Sequence, residues 1–289
     1  MQKYFSLVKF AHTIFALPFA LLGLFLGFRV LSLQGEQTDK PWWVSLILVV
    51  LCMVFARSAA MAFNRYIDRD IDAANDRTRM REIPSGAISP SRALTFVVIS
   101  SLLFIATTWF INLLCFFLSP VALLVVLGYS FTKRFTALCH LVLGLGLALA
   151  PVGAFIAVTG VFQWEPIILG VAVLTWVSGF DIIYALQDEE FDRSHSLNSI
   201  PAFLGKKRAL LVSTILHFLS ASMIVLFGVA IGGGWIFWIG SAVFLFLLVY
   251  QHLLVKPDDL SKVNLAFFTT NGIASVVFAC FAIGELLLN

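Results

Sequence analysis

Runs of apolar residues about twenty long, each ended by a short polar stretch, repeat along the whole chain. They lie at Phe10 to Leu33, Trp42 to Tyr66, Leu94 to Leu113, Phe116 to Phe131, Leu138 to Thr159, Ile167 to Leu186, Leu210 to Ile231, Trp235 to Leu254 and Leu265 to Leu288. A helix of about 20 residues crosses a hydrocarbon core roughly 30 Å thick. The pattern therefore predicts a bundle of about nine transmembrane helices. The least marked division is the turn from Leu113 to Phe117, and dividing the chain differently there gives eight or ten.

Composition narrows the class. With 60% hydrophobic and 12% charged residues, the chain carries about half the roughly 25% charge of a soluble domain. The expected fold is all-α: one multi-pass transmembrane domain over residues 1–289, in a lipid bilayer, with no nucleic-acid partner. Cys52, Cys115, Cys139 and Cys280 stand singly in apolar segments, without the paired spacing or His neighbours of a zinc site, and read as packing residues. The first run is too long for a signal-peptide core and no small-residue cleavage pattern follows it, so it reads as a retained anchor.

Lys and Arg accumulate in cytoplasmic loops, and here they sort to one side. The loops after the second, fourth, sixth and eighth runs hold Arg69, Arg77, Arg79, Arg81, Lys133, Arg134, Arg193, Lys206, Lys207, Arg208, Lys256 and Lys262, whereas the opposite loops hold little beyond Lys40. The amino terminus is then cytoplasmic, and the membrane is expected to be a bacterial inner membrane. By parity the second and sixth runs both end at the cytoplasmic face, and each ends in an acidic cluster.

The first cluster places Asn64, Asp68 and Asp72 four residues apart, which stacks three oxygen-bearing side chains on one helical face. Like charges at that spacing repel unless a cation lies between them, and all-oxygen ligands suit a hard ion such as Mg²⁺. The alternative is a solvated helix end whose acids pair with Arg65, Arg69 and Arg77. The second cluster, Asp181, Tyr184, Asp188 and Asp192, repeats the stripe at offsets of three, seven and eleven. Asp68 and Asp188, like Asp72 and Asp192, are 120 residues apart, and Ile83-Pro84 and Arg92-Ala93-Leu94 recur as Ile200-Pro201 and Arg208-Ala209-Leu210. These repeats predict two internally related halves, about 1–135 and 136–289. Ion-coupled secondary transporters also build acidic sites between repeated halves, so a carrier stands as the competing class, although the placement of both clusters at helix ends under a crown of cations suits phosphate better.

These motifs resemble the UbiA superfamily of intramembrane prenyltransferases, which carries an Asn-x-x-x-Asp-x-x-x-Asp motif, a later Asp-x-x-x-Asp motif and, between the fourth and fifth helices, a Tyr-x-x-x-Lys element, here Tyr129 to Lys133. The segment from Lys9 through His12 to Pro18 is similar to the 4-hydroxybenzoate polyprenyltransferase branch. Arg65 stands where many members have Asp, and Asp76 where Pro is frequent. The resemblance implies Mg²⁺-dependent transfer of a polyprenyl group from polyprenyl diphosphate to an aromatic acid, 4-hydroxybenzoate first, in respiratory quinone synthesis. Dihydroxynaphthoate in a menaquinone pathway, haem and a glycerol phosphate are the rival acceptors. It also implies two Mg²⁺ ions, one on Asn64, Asp68 and Asp72 and the other on Asp188 and Asp192, with Arg77, Arg81, Lys133, Tyr129 and Lys9 on the diphosphate.

Arg57 lies inside the second run, seven residues before Asn64 and so on nearly the same face. A guanidinium at that depth calls for an anion. The resemblance makes that anion the acceptor, contacted by Arg57, Asn64, Asp181 and Tyr184; an Arg57 to Asp181 ion pair is the structural alternative. Of the five histidines none is expected to be catalytic, with His195, beside Asp192, the one closest to the site. The loops Asp72 to Ser91 and Asp188 to Lys206 exceed ordinary connections and are expected to cap the site and exclude water.

Overall fold

The computed structural model describes Leu7 and residues 15–288. Among the described residues, nine helices are long and apolar enough to cross a membrane: α1 (Leu17–Gln34), α2 (Trp42–Ile67), α4 (Pro90–Ile111), α5 (Leu113–Thr132), α6 (Cys139–Thr159), α7 (Trp164–Ala185), α10 (Lys206–Ala230), α11 (Trp235–Leu254) and α12 (Asn271–Leu288). Three short helices, α3 (Arg69–Ala74), α8 (Glu189–Ser194) and α9 (Ile200–Leu204), lie in the long loops after α2 and α7. The residue expectations for Lys9 and His12 lie outside the described residues.

Helix ends follow local chemistry. Gly35 and Gly160 adopt left-handed φ of 71° and 70° and end α1 and α6, a conformation that glycine enters without a Cβ penalty. Ser89 caps α4 through the Arg92 amide, with Pro90 as the first helical residue. The break between the third and fourth spans falls at Asn112, one residue before the turn expected from hydropathy. Its extended backbone (φ −161°, ψ 167°) stops α4, its side chain accepts from Cys115 N at 2.8 Å to start α5, and its amide donates to Ile156 O at 2.9 Å. A polar cap decided that boundary, which apolar flanks on both sides had hidden.

Helices adjacent in sequence pack side by side, and α12 returns against α1 while α1 also packs along α6. With no hydrophobic drive between helices in lipid, such pairs need close backbone approach and small residues. A Cβ on Gly23 of α1 would collide with the backbone of Pro151 in α6, and one on Gly144 of α6 would collide with Ser178 and Leu174 of α7. The largest core knits α1, α7, α10, α11 and α12 around Phe19, Trp176, Phe227, Phe237, Phe244 and Phe278. This packing fixes α7 between α6 and α10, and hence where the second acidic cluster emerges.

Candidate active site

The first acidic stripe bends where it begins to bind. Asp68 leaves helical geometry (φ −90°, ψ 5°) between α2 and α3, yet the bonds from Asp68 N to Asn64 O (2.9 Å) and from Asp72 N to Asp68 O (2.7 Å) keep the fourfold spacing. Asp68 is 2% exposed. Its carboxylate meets Lys133 Nζ at 2.8 Å and an Arg134 nitrogen at 3.0 Å, and accepts from Asn64 Nδ2 at 3.0 Å. Asp72 is equally buried. Oδ1 accepts from Arg81 at 2.6 Å, while Oδ2 lies 3.9 Å from Arg65 and has no hydrogen-bond partner. Arg65, the departure from the family pattern, is thus a buried neighbour of this carboxylate.

The second stripe is likewise interrupted. A 3₁₀ turn, Leu186–Asp188, separates α7 from α8, so the carboxylates do not continue one straight helical face; such turns recur at functional hinges. Asp188 accepts from Arg77 Nε at 3.0 Å, from a terminal nitrogen of the same guanidinium, and from Asn75 Nδ2 at 3.3 Å. Burial alone would lower the Arg77 pKa, but its hydrogen bond to Asp188 and that carboxylate's charge raise it above the ordinary value. Asp192 accepts from Ser199 Oγ at 2.8 Å.

These bonds join the two clusters. Asn75 and Arg77, from the loop after α2, grip the carboxylate that ends the 3₁₀ turn after α7. The loop after α8 is tied in turn to the end of α5, since Asn198 N donates to Lys133 O at 2.7 Å. Both stripes therefore share one face of the bundle, under loops anchored by buried Thr78, Ile83, Ile88, Ser199 and Ile200.

Asp181 sits about two turns deeper than Asp188 and does not pair with Arg57. Its Oδ2 is 2.7 Å from His140 Nδ1. The Ile200 amide donates to His140 Nε2 at 3.3 Å, which makes Nε2 the acceptor and leaves the Nδ1 hydrogen for Asp181. Asp181 Oδ1 has no hydrogen bond among the described residues. His140, from the start of α6, was missed in the sequence because a lone histidine in an apolar run carries no spacing signal. Arg134 and Asn75 were also missed, although each adjoins or closely follows a motif residue. His195, expected beside the site, is exposed and stacks on Phe191 at 4.0 Å.

Arg57 lines a cavity of about 220 Å³ bounded by Cys52, Met53, Ala56, Tyr129 and residues of α4 to α6. Its Nε is buried without a partner, and no hydrogen bond or ion pair to Arg57 occurs among the described residues. Two further expected site residues have the following neighbours. Tyr129, expected on the diphosphate, lines this apolar cavity with Arg57. Tyr184, expected beside the acceptor, lies in the last turn of α7, where its hydroxyl accepts from Arg77 at 3.0 Å and its ring stacks on Phe267 at 4.2 Å.

Among the described residues no three acidic, His or Cys side chains converge as a metal cage. Mg²⁺ needs none, since it keeps waters and takes one or two carboxylates plus phosphate oxygens. The donors present are all oxygen, and Asp72 Oδ2 is a buried carboxylate oxygen without a hydrogen-bond donor, so the residues fit such an ion.

The family model for the UbiA prenyltransferase family matches residues 16–273. The chain is 31% identical over 241 residues to the 4-hydroxybenzoate octaprenyltransferase of Aliivibrio fischeri strain MJ11, covering 82% of this chain and 83% of that protein. The apo structure of a UbiA homologue from Aeropyrum pernix K1 matches with a TM-score of 0.80 at 30% identity, over 96% of this chain and 97% of that one. A UbiA homologue from Archaeoglobus fulgidus bound to DMAPP and Mg²⁺ shares the fold at 21% identity, with a TM-score of 0.74 over 99% and 100% of the two chains. The competing carrier class falls to these matches. With nine apolar helices among its described residues, the chain is an integral membrane protein and an enzyme, a member of the UbiA prenyltransferase family.

Proposed function

We propose that this protein transfers a polyprenyl group from polyprenyl diphosphate to the ring of 4-hydroxybenzoate, at the cytoplasmic face of a bacterial inner membrane. The observation that carries the reading is the union of two carboxylate stripes under Lys133, Arg134, Arg81 and Arg77, beside a cavity lined by a guanidinium, Arg57, that meets no anion among the described residues. Relatives about 30% identical act, by name, on 4-hydroxybenzoate. The two related halves, 1–135 and 136–289, would each contribute one stripe.

In this reading Asn64, Asp68 and Asp72 hold one Mg²⁺, and Asp188 and Asp192 hold a second. Bound there, the ions neutralise the negative charge that develops on a departing diphosphate. Lys133, Arg77 and Arg81, which neutralise carboxylates in the structure, turn part of their hydrogen bonding to the diphosphate oxygens, with Lys9 as a further cation. The allylic C–O bond breaks with its electron pair going to the diphosphate. The ring carbon ortho to the phenol hydroxyl then bonds to the allylic carbon and gives up its proton to the released diphosphate.

Arg57 binds the acceptor carboxylate. Its placement in an apolar wall makes that ion pair strong, since little water competes. Asp181, held by His140, offers Oδ1 to the phenol hydroxyl and so orients the ring toward the allylic carbon, while Asn64 lies between the two substrates. The loops over the clusters keep water from the carbocation. Incubation with geranyl diphosphate, Mg²⁺ and a panel of aromatic acids tests this: the prenylated 4-hydroxybenzoate should appear by mass. Preference for a dihydroxynaphthoate or haem would overturn the acceptor assignment.

A further inference from the structure

Asn271 touches neither carboxylate stripe, yet it is fully buried and uses its side chain completely. Its Nδ2 donates to Ala266 O at 2.9 Å and Phe267 O at 3.0 Å, and its Oδ1 accepts from Trp176 Nε1 at 2.9 Å. The two carbonyls belong to a π-turn, Leu265–Thr270, that runs directly into α12. Such turns carry about one residue more than an α-turn and cluster at functional sites. Relaxing one to α geometry would rotate the residues before it by about 100° relative to those after it.

What the turn presents is aromatic. Phe267 stacks on Tyr184 with ring centroids 4.2 Å apart and planes at 29°, and Phe268 meets the same ring edge-on at 6.1 Å. Tyr184 accepts from Arg77 at 3.0 Å, and the Arg77 guanidinium also lies 5.3 Å from the centre of its ring. Arg77 in turn makes the two-pronged bond to Asp188. An unbroken chain of contacts thus runs from Asn271 through Phe267 and Tyr184 to the cation that closes the two clusters.

We propose that Asn271 and the π-turn it clamps are positioning elements for the diphosphate end of the site: through Phe267 they hold Tyr184 in one orientation and thereby set how Arg77 approaches its anion. The inference rests on the reading of Arg77 and Asp188 as part of the diphosphate site. It assigns Asn271, Phe267 and Trp176 no contact with either substrate.

The test uses the full-length enzyme in detergent with Mg²⁺, geranyl diphosphate and 4-hydroxybenzoate. Phe267→Leu keeps apolar volume and removes the stack, so the prenyl-diphosphate KM should rise about three- to tenfold, the span of a stacked aromatic pair, with the acceptor KM within about twofold. Phe267→Tyr should restore the wild-type value. Asn271→Ala should shift the same KM in the same direction; should it not fold, the Phe267 pair still decides. Equal shifts in both KM values, or loss of thermal stability with both unchanged, would overturn the positioning role. Arg77→Ala separates the levels: an unchanged prenyl-diphosphate KM there defeats the underlying site, whereas a large rise beside a silent Phe267→Leu defeats only the positioning chain.

Discussion

Arg77 and Asp188, 111 positions apart in sequence, form a two-pronged ion pair that joins the loop after α2 to the turn after α7. A planar guanidinium matches a carboxylate in a way that an ammonium does not. Arg77→Lys should therefore lower kcat/KM for prenyl diphosphate by roughly 30-fold or more, measured by initial rates with the acceptor saturating. A change under about threefold would mean that charge alone suffices. Because the folded-state pKa of Arg77 is raised, any stability it contributes is present below its unfolded value and lost only above it, at strongly alkaline pH. No loss of activity between pH 6 and 9 should trace to this residue.

Arg57 is a half-buried cation whose Nε is buried without a partner, and it has no ion pair among the described residues, which costs stability until an anion arrives. Arg57→Met, close in volume and uncharged, should leave the melting temperature equal or higher while raising the acceptor KM about tenfold or more and the prenyl-diphosphate KM little. Thermal shift assays and steady-state kinetics on one preparation check both halves. A fall in stability would show that the guanidinium is already satisfied in solution.

Asp181 and His140 are hydrogen-bonded across α6 and α7 at 2.7 Å. Asp181→Asn and His140→Gln should each reduce kcat by about tenfold or more, and the double variant should be little worse than either single one, since the pair shares one interaction. Additive losses in this cycle would separate their roles.

Chelation bears on the carboxylates directly. EDTA should abolish both diphosphate release and product formation, with recovery on adding Mg²⁺. Asp72→Asn should raise the Mg²⁺ concentration for half-maximal rate by about tenfold, read from a metal titration at fixed substrates. Full activity in EDTA would remove the metal from the reaction.

Much of this architecture was legible before folding. Apolar runs of membrane-crossing length mark the spans because lipid leaves backbone groups no partner except within a helix, and lysine and arginine placement puts both acidic stripes on one side by parity. The fourfold spacing at Asn64, Asp68 and Asp72 survives in the structure. Asn112 shows a local cue that hydropathy overlooked, since a side-chain cap is decided by one polar residue and not by a window average.

Pairing was another matter. The choice of His140 over Arg57 as partner for Asp181 and the turn of Tyr184 toward Arg77 depend on how α7 packs between α6 and α10, whereas the cavity around Arg57 is walled mainly by α2, α4, α5 and α6. Periodicity along one helix assigns a residue to a face; it does not say which neighbour that face meets. The chain alone therefore determined the membrane class, about nine runs of spanning length and the carboxylate spacing of the two stripes, through short-range patterns that each helix expresses by itself. Only tertiary packing decided which acid meets which cation, because those distances arise from close contacts between helices remote in sequence.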